Sequence, residues 1–159
     1  MGEISNALQG MKTLFLSVDP TPQTALVDAW VFQDEQSSVT FDTFPVALVL
    51  RVINQQEIWR RISNDLSQHD WGIEVLLLLK AGAVLNDAMG AEMEAMTDPW
   101  LRVITAGLYN NPTLYGNVVS VGELGTNILF RPTISQIDWL SKTFWGIRFL
   151  FSVSQSVSH

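Results

Sequence analysis

Apolar positions fall into two kinds of pattern along this chain, and the two strongest stretches open alike. Trp71-Gly72-Ile73-Glu74 leads into Val75-Leu76-Leu77-Leu78-Leu79, and Trp145-Gly146-Ile147-Arg148 leads into Phe149-Leu150-Phe151. A single charge inside an apolar run fits a strand whose pleat turns that side chain toward the wetter face. The two charges are opposite. If the strands are neighbours, Glu74 and Arg148 meet across the ladder, a contact worth roughly 0.2–1 kcal/mol. A third aliphatic run, Val46 to Val52, follows Phe44-Pro45. It reads as a strand covered on both faces, either within the chain or partly by a neighbouring subunit. Proline is tolerated at the start of such a strand.

Around these runs the period changes. Ile4, Leu8, Met11 and Phe15 make one apolar face of a helix over residues 3–16, with Gly10 as a weak point and Asp19-Pro20-Thr21-Pro22 as its end. Residues 25–32 fit either a helical turn or alternation and read here as a strand leading into the polar stretch from Gln33. Between Asn54 and Gln68, Ile58, Trp59, Ile62 and Leu66 fit a short amphipathic helix; a strand over Glu57–Ile62 is the alternative. Ser67-Gln68-His69-Asp70 reads as a polar turn. Helical spacing resumes from Val84 to Met96, and Asp98-Pro99 reads as a fresh start, with Asp98 as N-cap and Pro99 at the first helical position. Trp100, Ile104 and Leu108 form its buried stripe, and Asn110-Asn111-Pro112 stops it. Asn117 to Val121 alternates as a strand, Ile128-Leu129-Phe130 is a short apolar piece, and Ser141-Lys142-Thr143 reads as a turn. The final strand is expected over Trp145–Val153, with a frayed polar tail after it. The sum is a single α+β domain, a mainly antiparallel sheet flanked by helices.

Composition narrows the chemistry. The chain has 159 residues, no cysteine, and 16 acidic against 9 basic residues. That removes disulfides, thiolate catalysis and cysteine-based zinc sites. No apolar run approaches the roughly 20 residues that span a bilayer, and no basic leader precedes an apolar one, so neither a membrane segment nor a signal peptide is expected. A net charge of −7 does not suit gripping of phosphate backbones, though it suits a surface along which DNA passes without sticking. His69 beside Asp70 reads as an exposed turn, because sequence neighbours do not face each other and no Gly-x-Ser-x-Gly elbow exists. Glu92 and Glu94 point to different sides of a helix. Asp34, Glu35 and Asp42 are the densest acidic group, without an EF-hand pattern, and read as a solvated loop. Phosphate-cradling glycine motifs are missing. Met89, Met93 and Met96 read as core packing. No catalytic residue, metal or cofactor is assigned.

One resemblance adds to this reading. Pro99-Trp100-Leu101-Arg102-Val103-Ile104, followed by Leu108 to Val118 with its Asn111-Pro112-Thr113-Leu114-Tyr115-Gly116 turn, is similar to the helix and Asn-Pro-Thr-Leu-x-Gly turn of bacteriophage tail terminator (tail-completion) proteins. The closing Trp145–Val153 run and the early Phe44-Pro45-aliphatic run resemble strands of that family. Tyr115 stands where the family usually has a second glycine, and Val119–Lys142 does not align with it. The resemblance implies a virion structural protein of the neck, assembled in the bacterial cytoplasm as a six-membered ring. Such a ring caps the tail tube, stops its polymerisation and joins it to the head-side connector, with DNA passing through the lumen. Under that reading the contact candidates are the loop Gln33–Thr43, with Asp34, Glu35 and Asp42, and the connection Gly122–Arg131, with Glu123 and Arg131. A head-closure stopper or minor tail protein is the alternative, and a metal-dependent enzyme built on acidic residues a remote one.

Overall fold

The computed structural model describes residues 3–32, 43–52, 57–82, 89–122 and 128–158. Two helices and seven strands follow in the order α1 (Glu3–Ser17), β1 (Asp28–Phe32), β2 (Val46–Arg51), β3 (Ile58–Arg61), β4 (Leu66–Ala81), α2 (Met89–Asn110), β5 (Ser120–Val121), β6 (Arg131–Trp139) and β7 (Lys142–Ser158). The strands form one sheet in the order β1-β2-β4-β7-β5, with β3 beside β4 and β6 beside β7. Among the described strands only β1–β2 is parallel. This is an α+β fold with a mainly antiparallel sheet.

The two Trp-Gly-Ile stretches are neighbours in the middle of that sheet. β4 and β7 pair antiparallel from Leu66↔Ser158 to Ala81↔Phe144, with one irregularity between Leu78 and Lys80. Glu74 lies opposite Leu150 and Leu76 opposite Arg148, so the charges are diagonal neighbours on one face, and Arg148 Nη1 donates to Glu74 Oε2 at 3.3 Å. Both partners are partly open to water, so the pair sits at the weak end of its range.

Alternation sorts the two faces. Ala47, Val49, Trp71, Ile73, Val75, Leu77, Ile147, Phe149, Phe151 and Val153 share a core with Leu8, Met11 and Phe15 of α1 and with Trp100, Ile104 and Leu108 of α2. Gly10 has a purpose that helix propensity hides. A Cβ there would lie 2.9 Å from the Leu114 carbonyl oxygen, so α1 rests directly on the loop after α2. The opposite face closes on itself. Val46, Leu48, Leu50, Leu76 and Leu78 meet Ile137, Trp139 and Phe144. Phe32 of β1 and Trp139 of β6 sit 5.5 Å apart between ring centres. Those strands are four intervals apart, about 19 Å in a flat sheet, so the sheet must coil until its corners meet. β2 is therefore covered on both faces from within the chain.

Several expectations change. Residues 58–61 form strand β3, so the amphipathic helix is replaced by the alternative. Ser67–Asp70 is no turn but the first part of β4. Met89–Asn110 is one continuous helix with Pro99 inside it, because the preceding turn stays helical and Asp98 caps nothing. The strand expected over Asn117–Val121 shrinks to Ser120–Val121. β7 starts at Lys142, since the reversal uses only Leu140 and Ser141, and runs to Ser158. The supposed frayed tail is thus held by β4, with Ser154 and Gln155 buried. Met93 packs on Trp145 and Met96 lies against the main core, in keeping with a packing role. The start of the Val84–Met96 helix falls on residues 83–88, outside those described.

Candidate functional site

Polar chemistry gathers where β3, β4 and β7 reach past the helices. The sequence Ile62-Ser63-Asn64-Asp65-Leu66 makes a tight reversal, with the Ile62 N–H donating to the Leu66 carbonyl at 3.0 Å. That bond fixes the phase of the hairpin. Ile58, Arg60 and Ile62 exchange backbone bonds with β4, while Trp59 and His69 form a non-bonded pair whose side chains come closest. Their rings stack 3.8 Å apart at 7°, and Trp71 continues the stack at 6.3 Å from His69. His69 is 2% exposed. Its Nε2 lies 2.9 Å from Glu57 Oε2. The same carboxylate is held by Arg51 through Nε at 3.0 Å and through Nη2. Arg51 also lies over the Trp71 ring at 5.9 Å, and Trp71 Nε1 donates to the buried Gln155 at 2.8 Å.

His69 therefore overturns the reading of an exposed turn. It is a buried strand residue, and its acidic partner is Glu57 and not its sequence neighbour. Asp70 points to the other face, where it accepts from Ser154 Oγ at 2.7 Å and from Gln68 Nε2 at 3.1 Å, with Arg60 at 3.7 Å. An acid beside an imidazole is the start of a base-plus-orienter pair. Here Trp59 covers one face of the ring and Glu57 is already engaged by Arg51, so the geometry is that of a clamp holding β3 to the sheet.

The clamp has a pH signature. Burial by itself would raise the Glu57 pKa, but the bonds from Arg51 and His69 more than offset it and hold the carboxyl below its ordinary 4.5. A depressed folded-state pKa contributes stability that is complete above the unfolded value and lost as pH falls through the folded one. Glu57→Gln should thus lower the unfolding midpoint by a constant amount above about pH 4.5, and the gap to the parent should close on further acidification. Denaturant melts at several pH values measure it.

What the clamp presents is an exposed edge. Ile58, Trp59 and Ile62 are 47%, 57% and 55% exposed, and Arg60 and Arg61 stand between them. β3 has no strand on its outer side among the described residues. A clue to this was present in the sequence, in the alternation from Glu57 to Ile62 followed by Ser63-Asn64-Asp65.

Of the contact candidates, Asp34, Glu35, Asp42 and Glu123 lie outside the described residues. Arg131 is exposed at the first position of β6, opposite Leu150 and on the far side of the sheet from β3. The described residues contain no group of three or more His, Asp or Glu side chains placed to hold a metal ion, and no described helix is long and apolar enough to cross a membrane. No family model matches the chain, and no curated protein matches it.

Proposed function

We propose that the chain is a structural subunit of the tail-terminator kind, a non-catalytic ring component that caps a phage tail tube, halts its growth and joins it to the head-side connector. The observation that carries this reading is the β3 edge. A strand that exposes an isoleucine and a tryptophan, with a second exposed isoleucine just after it and with backbone groups that no described strand meets, is a liability for a free monomer and an asset for a subunit. The tail-terminator-like residues around Pro99–Val118 and Trp145–Val153 supply the kind of assembly. In such a ring the acidic balance would let DNA move through without adhering, and one face would imitate a tube subunit's docking surface while the other offers none.

Negative-stain microscopy of the purified protein, alone and with tail tubes of its own phage, tests the proposal. Rings that seat on tube ends and stop elongation are expected. A stable monomer at high concentration that ignores those tubes would refute it. Replacing Asp34, Glu35 and Asp42 together with their amides should reduce head–tail joining in complementation assays, and normal virion yields would remove that loop from the contact surface.

A further inference from the structure

The sheet has a second open edge at the same end, and it lies on the opposite side. Gly122 and Val119 donate to the carbonyls of Ser152 and Ser154 at 2.7 Å each, and there the pairing of β5 with β7 stops. β7 continues to Ser158 with β4 on its inner side. By alternation the backbone groups of Ser156 and Ser158 point outward, as those of Ser152 and Ser154 do. No described strand meets them. On the β3 side, the phase set by Ile62 turns the backbone of Trp59 and Arg61 outward. One end of one sheet thus carries two short unpaired edges, separated by β4 and unable to reach each other within a chain.

We propose that these edges pair between copies: β3 of one subunit lies along Ser156–Ser158 of the next, and the sheet runs on as β3-β4-β7 from copy to copy. β3 and β7 are both antiparallel to β4, so they run the same way and the new pairing is parallel. The contact is heterologous, which closes into a ring when the rotation between copies allows. The inference rests on the ring reading above for its closure, and on the two edges for its geometry.

Side chains fit this arrangement. A hollow of about 290 Å³ opens beside the β7 edge, lined among others by Asn6, Asn117, Val118, Gln155 and Ser156. Gln155 and Trp59 lie on the same face of the sheet, so a neighbour's Trp59 comes level with that hollow. An indole needs an apolar body contact and one acceptor for its N–H, and the hollow offers valine together with carboxamide oxygens. No charged residue lines it among the described residues, so the incoming Arg61, which shares the face of Trp59, meets there neither a like charge nor a carboxylate that would have to be stripped of water. The clamp of Arg51, Glu57 and His69 acquires a role here, since it fixes the indole in place before docking.

The chain has no cysteine, so site-specific crosslinking is clean. Arg60 and Ser156 lie on the face away from the helices, and both are exposed. The test uses Arg60→Cys and Ser156→Cys, singly and together, with a short bismaleimide. The double variant should give a covalent ladder ending at the ring size. Each single variant alone should give almost none, and a mixture of the two singles should give dimers. Trp59→Ala should sediment as monomer while keeping the parent's circular dichroism. The proposal falls if no ladder forms, if Arg60→Cys alone crosslinks as well as the mixture, which would mean β3 pairs with itself, or if Trp59→Ala stays assembled. Ladders from a protein that does not cap tubes would refute the terminator function and leave the edge pairing intact. Tube capping without ladders would do the reverse.

Discussion

Gly146→Ala is expected to abolish cooperative folding or to lower the denaturant midpoint more than any other single methyl added to this chain. The added Cβ would fall 1.9 Å from the Leu77 carbonyl oxygen and 2.9 Å from its carbon. Overpacking in cores costs roughly 1–3 kcal/mol when side chains can shift. Here the obstacle is main chain, in the rung between the two central strands, and β4 and β7 can make room only by parting. The penalty should exceed that range. Gly116→Ala is the informative comparison. Its φ of +83° makes a side chain strained, yet nothing lies within 4 Å of the added atom, so only the backbone term, about 1–2 kcal/mol, is expected. Urea titrations of the two variants separate the mechanisms. Equal losses would mean that β7 is free to move away from Leu77, contrary to the ladder that runs in unbroken register from Leu66 to Leu78.

The Trp-Gly-Ile echo was therefore a sound guide to neighbouring strands, and its glycine is more than a coincidence of composition. Long runs with one dominant period, such as Val75–Leu79, Val46–Leu50 and the Ile4–Phe15 stripe, were legible because burial on a fixed face leaves a mark at every second or fourth residue. The elements that escaped notice lack that mark. β6 reads Arg131-Pro132-Thr133-Ile134-Ser135-Gln136, exposed along most of its length. Its hairpin reverses through Leu140 and Ser141, with φ of 50° and 66°, where asparagine or glycine would ordinarily signal such a turn. The end of β7 reads as a polar tail because β4 holds it by backbone bonds, which any sequence makes. His69 was misjudged for a related reason. Its partner Glu57 is twelve residues away and reaches it only because Asn64-Asp65 folds β3 back onto β4. The candidate site was half visible: the basic pair and the apolar residues around it stood in the sequence, but their exposure on an unpaired edge is a property of the sheet.

Phe149→Ala should carry the second large loss, about 3–5 kcal/mol, and it reports on how the helices are held. Phe149 is fully buried on the helix face of β7. Phe15 of α1 meets it edge-on at 5.3 Å and 77°, Phe130 lies at 5.5 Å, and Phe151 at 5.8 Å. Truncation removes transfer energy, leaves a cavity between sheet and helix, and cancels aromatic pairs that each add roughly 0.5–1.5 kcal/mol. For a chain of this size, a loss of 1 kcal/mol corresponds to about 2–4 °C in Tm, so calorimetry should register a fall of about 6–20 °C. Phe15→Ala opens the same cavity from the other side. The double variant is therefore expected to lose less than the two single losses added together, since the pair can be broken only once. Full additivity would place the anchoring of α1 elsewhere in the core, with Leu8 and Met11. The β3 edge should be indifferent to both changes, because its clamp runs through Arg51, Glu57 and His69. Any protein that stays folded should still yield the crosslinked ladder, so the helix layer and the proposed contact between copies can be weakened one at a time.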